Sequence, residues 1–295
     1  MQRRDFLQAT GAGLATLLAR PTWASSTSSP YLKTLGLQLY TLRNQLADDV
    51  PGTIKAVADA GYYQVELMRV VGEEPIFKAA RDHGLKVTSA MIDWKTLVSP
   101  GEPGVPSFRE TLDVAVEEKL KYLVIPYVGK GHRETADQLN LLARRANRAG
   151  EACRKAGIQL CYHHHSFEFA RLPDGATGWD VFVREFDPDL VKFEIDVFWA
   201  AIGGFDPVET IRWLKGRVAQ LHLKDLLKGT LRLRRPVHAI FATPFTPWIS
   251  DSKCYSHKRL AVQTVRGVRR STGARVDGKK YIFVKFHMAN HATVA

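Results

Sequence analysis

The feature that most constrains the fold of this chain is a regular alternation of short apolar runs and amphipathic segments, which begins near residue 35. Short apolar runs bounded by polar segments are typical of buried strands. Segments in which apolar residues recur with a period of about 3.6 residues are typical of helices. Regular βα alternation predicts a parallel sheet, because parallel strands need crossover connections. The predicted strands are Leu35–Tyr40, Gln64–Leu67, Lys86–Met91, Tyr122–Tyr127, Ile158–His163, Val191–Asp196 and Val218–Leu223.

Amphipathic segments between these runs predict the helices. Three of them end at the pairs Ala60-Gly61, His83-Gly84 and Ala156-Gly157, each just before the next strand. A glycine at that position is a helix stop in the left-handed conformation. The predicted helices are Thr53–Ala60, Pro75–His83, Ser107–Leu120, Thr135–Ala156 and Pro207–Lys215.

Seven βα units favour a TIM-type barrel, which typically needs about 250 residues. The chain has 295 residues. An open doubly wound sheet is the alternative, but it normally carries a Gly-rich phosphate loop after its first strand, and residues 39–43 form no such loop. We therefore predict an α/β fold, a TIM (β/α)8-type barrel, over residues 35–228.

The composition changes abruptly after Lys228. Residues 229–295 hold 13 of the 42 Lys and Arg but only 2 of the 30 Asp and Glu, so +11 of the net charge of +12 lies there. No glutamate follows Glu209, and residues 281–287 are the visible strand-like run. We predict that the eighth βα unit is missing or disordered and that residues 229–295 form a poorly ordered basic tail. A frame slip in the coding sequence would explain the lost periodicity and the charge change together.

The first residues predict an export signal. Arg3 and Arg4 open a twin-arginine pattern, Ala9–Ala19 is apolar, and Thr22-Trp23-Ala24 offers a cleavage site. The apolar stretch is too short to span a bilayer, so we predict a signal over residues 1–24, a linker over 25–34 and no stable membrane anchor. The twin-arginine machinery is then a partner and the location is periplasmic. An exported protein seldom meets nucleic acid, so we expect no nucleic-acid partner despite the basic tail.

Polar side chains stand at the carboxyl ends of the predicted strands. Glu66, His163, Asp196 and His222 each close or follow an apolar run. In a parallel barrel these ends meet in one mouth, where active sites are built. His, Asp and Glu delivered from separate strands favour a divalent metal ion with acid/base groups beside it. The pattern therefore predicts an enzyme.

Five motifs in the expected order give residues 35–228 a resemblance to a known family. They are Gly36-Leu-Gln-Leu-Tyr40, Gly61-Tyr-Tyr-Gln-Val-Glu66-Leu, Tyr162-His-His-His-Ser-Phe-Glu-Phe169, Glu194-Ile-Asp-Val-Phe-Trp199 and Leu221-His-Leu-Lys-Asp225. The chain resembles the sugar phosphate isomerase/epimerase family, which shares the xylose isomerase-like barrel with endonuclease IV. The resemblance implies one divalent metal ion (Mn, Zn, Mg or Co) and proton transfer next to a sugar carbonyl, which leads to isomerisation, epimerisation or dehydration.

Carried over by position, the resemblance makes Asp196 and His222 metal ligands, with His163 or Glu168 completing the site. It also implies a Gly-rich loop and a last strand ending in a glutamate that binds the metal and acts as acid or base. The chain has nothing similar after Lys228. If the tail is genuine, the metal site lacks this carboxylate.

Several residues are candidates for proton transfer. Glu168 is the first candidate base, with His165 or Glu66 as the partner acid. Alternatively, Glu66 forms a hydrogen bond to the substrate or a structural ion pair. His163 and His165 alternate, so on a strand they share a face, whereas His164 faces the other side and is expected to be structural.

The remaining candidates bind substrate. Trp199 is expected to form an apolar wall for a sugar ring. Lys224 binds a substrate hydroxyl or phosphate, or it neutralises the carboxylates. The full set of predicted substrate-binding residues is Gln38, Tyr40, His163, Trp199, Lys224 and Asp225.

Together these features predict a metal-dependent isomerase or epimerase that acts on a sugar or sugar phosphate. The alternatives are a sugar dehydratase or lyase, a non-catalytic carbohydrate-binding barrel, and an endonuclease IV-like phosphodiesterase. The last uses a three-zinc cluster, and Trp199 stands where those enzymes place a further histidine.

Overall fold

The computed structural model describes residues 35–224, together with the backbone of strands at 274–276, 279–281 and 283–287. The strands are β1 Leu35–Gln38, β2 Gln64–Leu67, β3 Lys86–Met91, β4 Tyr122–Ile125, β5 Gln159–His163, β6 Val191–Asp196, β7 Val218–Lys224, β8 Ala274–Val276, β9 Lys279–Tyr281 and β10 Phe283–His287. The helices are α1 Arg43–Asp48, α2 Val50–Asp59, α3 Glu74–Asp82, α4 Lys95–Val98, α5 Phe108–Glu117, α6 Ala136–Lys155, α7 Gly178–Glu185, α8 Val197–Ile202 and α9 Pro207–Trp213.

Strands β1 to β7 lie in sequence order and pair in parallel. This confirms the predicted α/β barrel with seven βα units. Strand β10 pairs antiparallel with both β1 and β7 and closes the ring. The eighth place, for which no βα unit was predicted, thus holds a strand that runs in the opposite direction.

Within residues 229–295, which we expected to be poorly ordered, the structure describes β10 and a small hairpin. Its strands β8 and β9 pair antiparallel in a separate two-stranded sheet. The strand-like run seen at residues 281–287 corresponds to β10.

Local signals in the sequence set the helix ends. The Thr135 side chain accepts a hydrogen bond from the Gln138 N–H and forms a capping box that starts α6. Gly61, Gly84 and Gly157 have φ of 85°, 70° and 75°, so the predicted left-handed stops are present. Helix α5 ends earlier than predicted, because Lys119 takes the left-handed conformation with φ of 55°.

The core lies between the barrel and the surrounding helices. Tyr162 on β5 and Phe193 on β6 point outward and pack with Phe182 and Phe186 around α7. Their side chains are fully buried. Because these apolar residues fill the outer layer, the opposite faces of the same strands are left for polar side chains inside the barrel.

Candidate functional site

Five ionisable side chains meet inside the barrel near the carboxyl ends of the strands. We call Glu66, His163, Glu194, Asp196 and His222 the interior cluster; each is at most 4% exposed. Strand register brings them together, because Asp196 pairs with His222 and Glu194 pairs with His163 on neighbouring strands. Burial of this many ionisable groups is costly unless they are paired or bind a cation.

Three members of the interior cluster form a candidate metal site. The ligand atoms of His163, Asp196 and His222 lie within 4.8 Å of one another. Asp196 Oδ2 is 3.6 Å from His163 Nε2 and 3.9 Å from His222 Nδ1. The sequence predicted these three residues as ligands, and the structure brings them together.

Backbone contacts orient Asp196. Its Oδ1 accepts hydrogen bonds from the N–H groups of Phe198 and Trp199 at the start of α8. Its other oxygen, Oδ2, has no hydrogen-bond partner among the described residues. Burial alone would raise the pKa of Asp196, but the nearby His163 ring and Lys224 charge outweigh it and lower this pKa to about 2. The carboxylate is therefore ionised and presents one oxygen to the site.

The His163 ring is oriented in a similar way. Its Nδ1 lies 3.1 Å from the Pro126 carbonyl oxygen and donates to it. In the neutral ring this leaves the lone pair on Nε2, which has no hydrogen-bond partner among the described residues. A histidine whose second nitrogen donates to a carbonyl is the usual arrangement of a metal ligand.

His164 supports the site from outside the barrel, as its position on the strand predicted. Its Nε2 accepts a hydrogen bond from the Asp196 N–H, and its ring packs on Phe169 and Trp179. Burial lowers the pKa of His164 to about 4. A neutral histidine thus ties the end of β5 to the end of β6.

The other nitrogen of His222 faces two carboxylates. His222 Nε2 is 2.8 Å from Glu66 Oε1 and 3.3 Å from Glu194 Oε2. Glu66 Oε2 accepts a hydrogen bond of 2.6 Å from the Ser89 hydroxyl. Burial alone lowers the pKa of His222, but the charges of Glu194 and Glu66 outweigh it and raise this pKa to about 10.

Glu194 is the site residue that sequence reasoning missed. It stands two residues before Asp196 on β6, so the period of two places both on the inner face. That alternation was visible in the sequence, because Lys192, Glu194 and Asp196 are the polar positions of an otherwise apolar run. The strand-end rule drew attention only to Asp196.

Glu168 lies outside the interior cluster, away from the place that the sequence interpretation gave it. Its Oε1 accepts a hydrogen bond from the Tyr162 hydroxyl and its Oε2 accepts one from the His165 N–H, each 2.8 Å long. Because Tyr162 faces outward, Glu168 sits between β5 and α7. It does not belong to the candidate metal site, and burial raises its pKa to about 7. The structure thus does not bring Glu168 together with the other predicted ligands.

His165, Trp199 and Lys224 lie beside the candidate metal site. The His165 ring centroid is 4.9 Å from that of His163 and 5.1 Å from that of Trp199. Lys224 Nζ lies 4.5 Å from the Trp199 ring centroid and equally close to that of Phe198. Burial lowers the pKa of His165 well below its ordinary value and lowers the pKa of Lys224 to about 8. These three predicted residues are thus close to one another.

The remaining predicted substrate-binding residues are more scattered. Strand β1 ends at Gln38 instead of at the predicted Tyr40, so Tyr40 falls in a 3-10 turn. Gln38 Oε1 accepts a hydrogen bond from the Tyr40 N–H, and the exposed Tyr40 ring contacts the Arg43 guanidinium. Asp225 lies outside the described residues, as do the predicted export signal and linker.

The interior cluster suits a divalent cation. His163 Nε2 and Asp196 Oδ2 are buried polar atoms that point at each other without a hydrogen bond. Imidazole and carboxylate donors of this kind suit Zn, Mn, Fe and Co ions. The described residues therefore offer a set of ligands that fits the predicted metal.

Comparison with known proteins decides the family. The model of the "Xylose isomerase-like TIM barrel" family matches residues 54–244, which is more than half of the chain. The chain belongs to this family. Membership in the xylose isomerase-like family accords with the seven parallel strands and with the position of the cluster at their carboxyl ends.

Named members of the xylose isomerase-like family include enzymes. The chain is 25% identical over 224 residues to inosose dehydratase of Geobacillus kaustophilus, covering 66% of this chain and 71% of that one. The match to inosose dehydratase of Clostridium tetani is 23% over 162 residues and covers about half of each protein (50% and 53%). A crystal structure of a sugar phosphate isomerase/epimerase from Parabacteroides distasonis superposes with a TM-score of 0.56 and 28% identity, over 68% of this chain and 77% of that chain.

Among the described residues, no helix combines the length and the apolar character that crossing a membrane requires. The export signal itself stays a prediction, since residues 1–34 fall outside the described range.

Proposed function

We propose that this protein is a metal-dependent enzyme that moves a proton at the carbon next to the carbonyl of a sugar or cyclic polyol ketone. The observation that carries the proposal is the convergence of His163 Nε2, Asp196 Oδ2 and His222 Nδ1 at the mouth of the barrel. The similarities to isomerase/epimerase and dehydratase enzymes support it. All three reactions share this proton transfer.

His163, Asp196 and His222 would hold the divalent ion. When bound, the ion would act as a Lewis acid that polarises the substrate carbonyl. The donor set is compatible with Mn, Zn or Co, and with Mg less well because Mg prefers oxygen ligands.

His165 is the best-placed base. Its ring lies beside His163 and Trp199, and its Nδ1 has no hydrogen-bond partner among the described residues. In the reaction His165 takes the proton from the carbon, and the electron pair of that C–H bond moves into the enolate. Delivery of a solvent proton to the opposite face of the same carbon completes epimerisation. Delivery of the proton from His165 to the former carbonyl carbon, with transfer of the neighbouring hydroxyl proton to the former carbonyl oxygen, completes isomerisation.

Lys224 and Trp199 bind the substrate in this scheme. The Lys224 ammonium donates a hydrogen bond to the substrate oxygen on which negative charge develops. Trp199 offers its ring face to the C–H groups of the substrate. Glu168 keeps the loop in place through its hydrogen bond from the His165 N–H, and this role replaces the base that we assigned to it from the sequence.

Dehydration is the second candidate outcome, and the similarity to inosose dehydratase favours it. It begins with the same removal of a proton. The enolate then expels the hydroxyl group of the β carbon, which leaves as water after it receives a proton from an acid. The two outcomes differ only after the first step.

Solvent exchange tests the common step. The Mn²⁺-loaded chain is incubated in D2O with an inosose and with a panel of free ketoses, and NMR detects deuterium next to the carbonyl as well as any dehydrated product. We expect exchange with at least one of them, slowed about 10²- to 10⁴-fold in His165→Asn. His132→Asn is the control, because the His132 ring contacts Trp94, whereas the His165 ring contacts His163 of the interior cluster. Tight binding of these sugars without exchange would favour a non-catalytic barrel.

We also propose that the protein is exported to the periplasm. The Arg3-Arg4 pattern and the apolar stretch after it support this location. Mass spectrometry of the mature amino terminus in a periplasmic fraction tests it, and an intact Met1 confined to the cytoplasm would contradict it.

A further inference from the structure

The two ring nitrogens of His222 face different partners. Nδ1 faces Asp196 Oδ2 at 3.9 Å, whereas Nε2 faces Glu66 Oε1 at 2.8 Å and Glu194 Oε2 at 3.3 Å. A neutral imidazole carries its proton on one nitrogen and a lone pair on the other. The side with two carboxylates is the side that favours the proton.

We infer that Glu66 and Glu194 are positioning residues that hold His222 by its Nε2–H and aim Nδ1 at the cation between His163 and Asp196. This inference rests on the proposed function, because it assumes that His163, Asp196 and His222 bind a metal ion. It gives Glu194 its first role, and it moves Glu66 from acid/base chemistry to support of a ligand.

The surroundings of Glu66 suit a fixed acceptor. Ser89 on β3 donates to one Glu66 oxygen and leaves the other aimed at His222. Glu66 stands on β2 and His222 on β7, so they approach each other across the barrel interior. Both residues are at most 2% exposed, and Glu66 is fully buried, so a substrate in the mouth has little access to its carboxylate.

Glu194 is the second carboxylate that holds the His222 ring. It stands on β6, one inward-facing position below Asp196, so a single strand supplies both a ligand and a support for another ligand. Hydrogen-bonded carboxylates behind a metal-binding histidine fix the ring orientation and increase its basicity. Rigid strands hold this geometry better than loops would.

The charges of the site agree with this arrangement. Three buried carboxylates, Glu66, Glu194 and Asp196, surround the His222 ring. The resemblance implied a glutamate from an eighth strand, and no glutamate follows Glu209 in the sequence. Glu66 and Glu194 supply negative charge from within the described barrel instead.

Titration of the metal-free full-length chain with Co²⁺ tests the inference, with stoichiometry, affinity and the visible spectrum as readouts. We expect one Co²⁺ per chain, with affinity lowered about 10- to 100-fold in Glu194→Ala and Glu66→Ala and a changed Co²⁺ spectrum. Glu194→Gln keeps an acceptor oxygen and should recover part of the loss. Glu73→Gln is the matched control, because Glu73 is a buried glutamate that binds Arg69 away from the cluster.

The outcomes separate the inference from the proposed function. Wild-type affinity and spectrum in all Glu66 and Glu194 variants would overturn the inference and leave the metal site standing. Two Co²⁺ per chain, with one lost in Glu194→Gln, would overturn it in favour of a second cation site at Glu66, Glu194 and His222. Absence of Co²⁺ binding by the wild-type chain would overturn both. Circular dichroism of each metal-free variant shows whether a loss of affinity comes from a loss of fold.

Discussion

Glu66 and Glu168 are both buried glutamates, one inside the barrel and one in the layer between the barrel and its helices. Inside the barrel, Glu66 faces the His222 imidazole and the Ser89 hydroxyl. In the outer layer, Glu168 accepts hydrogen bonds from the neutral Tyr162 hydroxyl and the His165 N–H. Burial raises the pKa of Glu168 to about 7, whereas the carboxylates around His222 raise the pKa of that imidazole to about 10.

The comparison shows that burial does not by itself assign a role to a carboxylate. A partner that can carry charge keeps charge inside the barrel, whereas the neutral donors around Glu168 offset only part of the burial that favours its protonated form. The interior is thus suited to a cation and the outer layer to structural hydrogen bonds. Changes in the two regions should affect different measurements.

The largest expected effect comes from the barrel interior. Asp196→Asn keeps the Oδ1 that caps α8 but replaces the other, charged oxygen, so we expect the chain to lose its metal ion. Variants of residues that only support a ligand lose at most roughly 100-fold in metal affinity, and Asp196→Asn should lose more Co²⁺ affinity than that. Metal content after gel filtration, together with calorimetric titration, measures it.

Asp206→Asn is the control for Asp196→Asn. Asp206 caps α9 in the same way, since its Oδ1 accepts hydrogen bonds from the Val208 and Glu209 N–H groups. It should retain wild-type metal content. Equal metal content in both variants would contradict the expectation that only the barrel interior holds the metal ion.

The second effect concerns Glu168 and appears as pH-dependent stability. Its folded pKa of about 7 lies above the ordinary value of 4.5. The stabilisation from the protonated form is therefore complete below pH 4.5 and is lost as the pH rises through 7. Between these limits the wild type should lose on the order of 3 kcal/mol relative to Glu168→Gln, whose side chain does not titrate.

Urea unfolding of the wild type and Glu168→Gln at several pH values checks this expectation. The glutamine keeps one oxygen for the His165 N–H and can donate its amide N–H to the Tyr162 oxygen. Metal affinity should change much less than in Asp196→Asn. A stability difference that stays constant from pH 4.5 to 7 would show that Glu168 does not titrate there.

The same division explains how far sequence reasoning reached. Strand order followed from apolar runs and glycine stops, and the places of Asp196 and His222 at the mouth of the barrel followed from strand ends. Glu168 was misplaced because it follows β5 in a 3-10 turn, where alternation no longer tells inside from outside. The antiparallel direction of β10 was also beyond reach, because five residues of strand do not show which way they run.

The smallest expected effect is a loss of stability from a change in the outer layer. Thr177 caps α7, the helix that packs over Tyr162, by accepting the Asp180 N–H at 3.0 Å. Thr177→Ala removes this cap and should lower the free energy of unfolding by about 1 kcal/mol. Thr177→Ser keeps the hydroxyl and should stay close to wild type. Because α7 touches the barrel only from outside, Co²⁺ affinity should be unchanged in both variants. A weakened Co²⁺ site in Thr177→Ala alone would mean that the outer layer sets the geometry of the ligands, and the two regions would then have to be treated as one.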